Sequence, residues 1–156
     1  MTLENFRRLF AYDAWGNRAA LESLRLATLA PTSRACALVG HLVGAGRLWL
    51  DRLNERPASM EVWPALPLER CEAEFRELDA AWKKYLDGLE SEDLERKIAY
   101  TNTKGERWEN TIADVMTHMT LHGTYHRGQI AMLVRESGNA PAYTDFIEAT
   151  RRGLLP

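Results

Sequence analysis

The sequence predicts an all-α fold, a four-helix bundle with a short extra helix at the C-terminus. Apolar residues recur at intervals of three and four along four long segments, as on amphipathic helices. Stretches that carry proline and glycine separate these segments. The segments cover residues 3–29, 34–54, 68–89 and 111–137. The connections after the second and third segments are long enough for a crossover, so loop length leaves the topology open.

Local signals mark the ends of the first helix. Thr2 is a good N-cap, because its side-chain oxygen can accept from a free N–H of the first turn. Pro31 with Thr32 and Ser33 is expected to end the helix and to restart the chain. The first helix is therefore predicted to run to about residue 29.

Similar signals organise the second half of the chain. Residues 90–110 alternate loosely, and a short hairpin with its turn at 102–105 is one interpretation. Thr111 caps the fourth helix, with Asp114 near its positive end. That helix is expected to stop at Gly138, and a short last helix to cover residues 144–151.

The second segment contains three glycines, Gly40, Gly44 and Gly46. Each costs a helix on the order of 1 kcal/mol relative to alanine. Close approach of a neighbouring backbone or a ligand would explain them, and chance would explain them equally well. The loop over residues 55–67 is apolar, so we expect it to pack over the bundle and to wall a pocket.

Composition limits the classes of function. A length of 156 residues predicts one domain over residues 1–156. The formal net charge of −2, without a basic stripe, argues against a nucleic-acid partner. No run approaches the roughly 18 apolar residues of a membrane span. Cys36 and Cys71 lie far apart without a C-x-x-C motif, so we expect a soluble protein in the reducing cytoplasm.

Three of the four histidines lie on the fourth segment, at His118, His122 and His126. Histidines four residues apart share one side of a helix and can hold one metal ion. His118 and His126 are separated by roughly 12 Å of helix rise, so all three cannot bind the same ion. The phase of the apolar stripe favours His122 with His126 as the inward pair and leaves His118 at the edge.

The remaining histidine, His41, lies on the second segment and can reach the bundle interior. A catalytic metal site usually has three protein ligands and one open position. His41 would complete such a set, although a single inward histidine is more often a hydrogen-bonded core residue. On spacing alone, metal binding and a structural role remain open.

Several stretches resemble the DinB / YfiT-like superfamily, and together they cover nearly the whole chain. The most specific runs from His118 to His126-Arg-Gly-Gln129. Weaker matches follow the family order at residues 12–17, 41–53, 100–108 and 143–147. The resemblance implies up-down-down-up topology, a homodimer and three metal-binding histidines, which map onto His41, His122 and His126. Gly46 departs from the pattern, since many members carry an acidic residue there.

The resemblance also implies one divalent metal ion, with zinc or nickel most compatible with imidazole ligands. The position left open on the ion could take water or a substrate thiolate, and no catalytic side chain is assigned. Gln129, Asp145 and His118 are candidates to orient the ligands, as are Asp13 and Asp51.

The leading functional hypothesis is a transferase that uses a low-molecular-weight thiol, drawn from relatives of the fold. A metal-dependent hydrolase is the second hypothesis. A stress-related metal-binding protein without turnover is the third, so whether the protein is an enzyme at all stays open. A small-molecule substrate is expected, and neither a nucleic acid nor a membrane is expected as partner.

Overall fold

The computed structural model describes residues 1–27, 29–30 and 33–156. Four long helices dominate it, and a short 3-10 helix and a two-stranded hairpin connect the third helix to the fourth. The elements are α1 (Leu3–Leu26), α2 (Arg34–Leu53), α3 (Leu68–Asp87), the 3-10 helix (Ser91–Glu95), β1 (Lys97–Thr101), β2 (Arg107–Thr111), α4 (Ile112–Glu136) and α5 (Phe146–Arg151). The predicted all-α bundle with a short C-terminal helix is confirmed.

Contacts between the helices define the topology. Arg7 of α1 reaches Leu86 of α3, whereas Arg25 reaches Glu72, so α1 and α3 are antiparallel. The α1–α4 contacts advance together along both helices, from Asp13–Arg127 to Ala27–Asn139, so these two helices are parallel. The contacts His41–His126 and Trp49–His118 make α2 and α4 antiparallel. These directions give the expected up-down-down-up arrangement.

The amphipathic faces of the four helices enclose two buried apolar clusters. One contains Phe6, Trp82 and Met116. The other contains Val39 and Phe75. Because removal of apolar surface from water is the main force that stabilises a fold, these clusters hold the helices together and position the side chains between them. Within the described residues, no helix combines the length and apolar character that crossing a membrane would require.

The helix starts agree with the sequence, and some ends do not. Thr2 and Thr111 cap α1 and α4 as predicted, each accepting from a backbone N–H three residues on. The prediction that α1 runs to residue 29 is wrong, because the helix closes at Leu26 with Ala27 as its cap. Asn139 donates to the Ala27 carbonyl across the bundle, a contact that periodicity does not reveal. Pro31 and Thr32 lie outside the described residues.

Two further boundaries differ from the predictions, and one interpretation is confirmed. The third helix ends at Asp87, two residues early, with Gly88 as its cap. The last helix begins at Phe146 and not at 144, and the Thr144 carbonyl before it accepts from the hydroxyl of Tyr12 at 2.7 Å. The hairpin is confirmed, since β1 and β2 pair antiparallel. Its turn contains Gly105, whose φ of 84° lies in the left-handed region that suits glycine.

Two of the glycines in α2 are explained by the loop that follows the helix. A Cβ on Gly40 would lie 2.8 Å from the Pro64 carbonyl oxygen, and one on Gly44 would lie 2.5 Å from that of Glu61. Backbone carbonyls therefore approach α2 where no side chain intervenes, which favours close approach over chance. The loop packs against α2, as its apolar composition predicted.

The largest fully buried side chain is that of Arg127, which is 1% exposed between α4 and α1. Its guanidinium donates to Asp13 and to Asn17, with the Asn17 oxygen 2.8 Å away. A Cβ on Gly16 or on Gly123 would clash with this side chain or its partner, so both glycines make room for it. The pair fixes how α4 is rotated against α1.

We expect Arg127→Met to lower the free energy of unfolding by about 3–5 kcal/mol, because it leaves the Asp13 carboxylate buried without its cation. Urea denaturation would measure the loss. Lys83→Met is the matched control, since Lys83 pairs with Asp87 at the surface and exposed pairs contribute about 0–1 kcal/mol. Equal losses in the two variants would contradict a structural role for the buried pair.

Candidate metal centre

Three histidines face one another between α2 and α4. His41 comes from α2, and His122 and His126 come from successive turns of α4. The antiparallel packing of these helices brings His41 level with the pair, although 81 residues separate it from His122. His41 and His126 are buried, and His122 is partly buried. The structure thus brings together the three side chains that the sequence analysis selected.

The distances suit a single metal ion. Nε2 of His122 lies 3.2 Å from Nε2 of His41 and 3.1 Å from Nε2 of His126. One ring nitrogen from each histidine falls within 4.8 Å of the others. Two nitrogens bound to one ion at about 2.0–2.1 Å and a tetrahedral angle would lie roughly 3.3 Å apart. The observed separations are close to that value, so the triad could hold an ion.

Hydrogen bonds at the outer nitrogens orient two of the rings. Nδ1 of His41 donates to the Val62 carbonyl oxygen at 2.9 Å, and Nδ1 of His126 donates to Oε1 of Gln129 at 2.7 Å. A neutral imidazole carries one proton, so Nε2 of each ring then holds a lone pair. Both lone pairs point toward Nε2 of His122.

His122 cannot donate a hydrogen bond to both His41 and His126. Its Nε2 can offer one proton at most, and its Nδ1 is buried without a hydrogen-bond partner in the described part of the chain. Either placement of its single proton leaves a buried polar group unpaired, at a cost of about 1–3 kcal/mol. A cation between the three nitrogens would remove this conflict, so the donor set fits a divalent ion.

Burial keeps two of these imidazoles uncharged. Desolvation is the main cause that lowers the pKa of His122 to about 3, and the neighbouring His126 and His41 contribute to the same shift. Desolvation also lowers the pKa of His41, although the hydrogen bond that the ring donates to the Val62 carbonyl opposes this shift. Both rings are therefore neutral near pH 7, the form in which histidine binds a metal.

A tryptophan covers the His41 ring. Trp63 stacks on it with ring centroids 3.8 Å apart and planes 9° from parallel, while more than half of the indole is exposed. Asp51, one of the candidates to orient a ligand, instead accepts from the backbone and hydroxyl of Ser59 and holds the loop on α2. The sequence analysis missed the roles of Val62 and Trp63; the only signal was the apolar character of their loop.

The other candidate residues lie in different surroundings. Gln129 contacts His126 as described, whereas His118 is exposed, with its ring centroid 5.3 Å from that of Trp49. The His118 ring is also 5.3 Å from that of His122, outside the group of three. Asp145 occupies the exposed N-cap position of α5 and interacts with Tyr143. Asp13 pairs with Arg127.

Gly46, the departure from the family pattern, faces α3 and not the histidines. A Cβ at this position would lie 2.5 Å from Cδ2 of Leu78. A longer side chain at this position would therefore meet α3 before it met the triad.

Comparison with known proteins identifies the family of this chain. The family model of the DinB family matches residues 18–152. The chain belongs to the DinB family. Protein DinB of Bacillus subtilis (strain 168) is 29% identical over 104 residues, which make up 67% of this chain and 59% of that protein. The match thus spans less than two thirds of that DinB relative, and no solved structure matches the chain.

The lowered pKa of His122 has a consequence in the metal-free protein. Between pH 6.5 and about 3 the folded state binds fewer protons here than the unfolded state, so stability falls as pH falls through this range. In an NMR titration of the metal-free protein, we expect the His122 ring signal to stay in its neutral position at pH 5. Assignment with a His122→Gln variant checks this, and a midpoint near 6.5 would contradict the buried environment.

Proposed function

We propose that His41, His122 and His126 bind one divalent metal ion, with zinc or nickel as the preferred ions. The observation that carries the proposal is the convergence of three Nε2 atoms, of which two hold lone pairs directed by Val62 and Gln129. Imidazole suits both metals, and three neutral ligands leave the full charge of the ion available. A bound ion would polarise a substrate group at the position that the protein leaves free.

The protein's own residues would supply orientation and a binding surface. Val62 and Gln129 hold the rings of His41 and His126, as outer hydrogen bonds commonly do in metal sites. Trp63 and Tyr125 border the triad, and each is more than half exposed. Two exposed aromatic rings beside the metal ligands favour a substrate with an apolar part.

For the reaction, we propose transfer of a low-molecular-weight thiol to an apolar electrophile. The thiol loses its proton to solvent, a new sulfur–carbon bond forms, and the leaving group departs with the electron pair of the bond that breaks. The exposed aromatic border supports the apolar electrophile, and family analogy supports the thiol. The alternatives are a hydrolase and a metal-binding protein without turnover. The second experiment below distinguishes both from thiol transfer.

We further propose a homodimer, a single domain over residues 1–156 and a cytoplasmic location. Leu121 and Met132 lie three turns apart on the same side of α4, and both are more than half exposed, which supports a contact with a second copy. Cys36 and Cys71 are buried free thiols, which supports a reducing compartment.

The first experiment measures metal content. After chelation and reloading with Zn²⁺ or Ni²⁺, we expect roughly one ion per chain, with binding lost in His41→Ala and in His126→Ala because only two ligands remain. His118→Ala is the matched control and should retain the ion, while Gln129→Leu should weaken binding by about 10- to 100-fold. Failure of the wild type to take up either metal would refute the site.

The second experiment tests the reaction. With cysteine as the thiol and a chromogenic chlorodinitrobenzene as the electrophile, the metal-loaded protein should exceed His126→Ala by at least about tenfold in rate, a difference of about 1.4 kcal/mol in the barrier. Turnover of para-nitrophenyl acetate without thiol would favour a hydrolase instead. No turnover of either probe in a protein that holds its metal would favour the non-catalytic alternative.

A further inference from the structure

A second concave site lies on the opposite side of the bundle, between α1 and α3. Its volume is about 620 Å³, within the range of about 300–1,000 Å³ that small-molecule sites occupy. Among the described residues that line it there is none of the three histidines. Leu42 and Met119 reach it from α2 and α4 and form its floor. The cavity is thus separate from the metal centre and uses none of its ligands.

The inner wall of the cavity is aromatic and apolar. Phe10 and Trp82 line it with ring centroids 4.6 Å apart, and Trp82 is otherwise buried. Leu42 and Met119 extend the same surface. A flat hydrocarbon or aromatic body would bury apolar area here, and the faces of the two aromatic rings also attract cations.

Charged groups are unevenly distributed between the depth of the cavity and its rim. The deeper ones are carboxylates, since the side chains of Asp13 and Asp79 are 16% and 26% exposed. The cationic side chains of Arg18 and Lys83 are 47% and 76% exposed. Arg127 neutralises Asp13 from within the bundle, so Asp79 is the carboxylate that a ligand can reach.

Asp79 pairs with a single cation of the described chain, Arg18, whose side chain is exposed. Burial is the main cause that raises the pKa of Asp79 to about 6, a value that includes the opposing effect of Arg18 and the smaller contribution of nearby Asp13. Arg18 is the partner of Asp79 and is nearly half exposed, so its side chain can move into solvent without losing a buried contact. A second cation could therefore share or take over this carboxylate.

We propose that the cavity binds an organic cation, a primary amine on an apolar or aromatic body. The ammonium group pairs with Asp79, and the body lies against Phe10, Trp82 and the floor. A carboxylate ligand of the same shape would meet Asp79 at the inner end and be repelled.

Calorimetric titration of the full chain with tryptamine tests the proposal, and indolepropionate, which has the same ring with a carboxylate, is the matched probe. We expect tryptamine to bind at least about tenfold more tightly than indolepropionate. Asp79→Asn should weaken tryptamine binding by about tenfold or more, because the charge pair is lost. Asp87→Asn, a carboxylate that is 51% exposed at the rim, should leave it unchanged.

A variant that fills the cavity gives a second readout. Ala14 lines the space, so Ala14→Phe should remove tryptamine binding while circular dichroism shows an intact helical fold. The metal content of Asp79→Asn should equal that of the wild type, which separates this proposal from the metal site. Absence of tryptamine binding to folded protein, equal affinity for indolepropionate, or equal losses in Asp79→Asn and Asp87→Asn would overturn the proposal.

Discussion

The buried ion pair between Arg127 and Asp13 is the constraint on which the rest of the site depends. Successive residues on a helix point about 100° apart, so once Arg127 faces α1 its neighbour His126 must face away toward α2. His122, one turn earlier, follows the same direction. The buried ion pair therefore sets the rotation of α4, and that rotation directs His122 and His126 toward His41.

The loop after α2 belongs to the metal centre as much as the helices do. Its carbonyls can approach α2 only because Gly40 and Gly44 have no side chains, and the approach brings the Val62 oxygen to His41. The same path lays Trp63 over the ring. Both glycines lower the stability of α2, but they allow the contact that fixes the orientation of the His41 ring.

The two sides of the bundle offer different chemistry. Between α2 and α4, neutral imidazoles converge on a point where a cation would satisfy their lone pairs. Between α1 and α3, carboxylates lie inside an aromatic cavity while the cations stay at its rim. Leu42 and Met119 line the cavity from the helices that carry the histidines, so α2 and α4 present imidazoles on one side and apolar side chains on the other.

The sequence by itself determined the four helices, the caps at Thr2 and Thr111, and the pairing of His122 with His126, because these depend on residues within one or two turns. It offered His41 as a third ligand with a structural role left open, and the family resemblance then selected it. The end of α1, the stacking of Trp63 and the cavity were decided by tertiary structure. They arise from contacts between residues far apart in the chain, which the periodicity of one segment does not reveal.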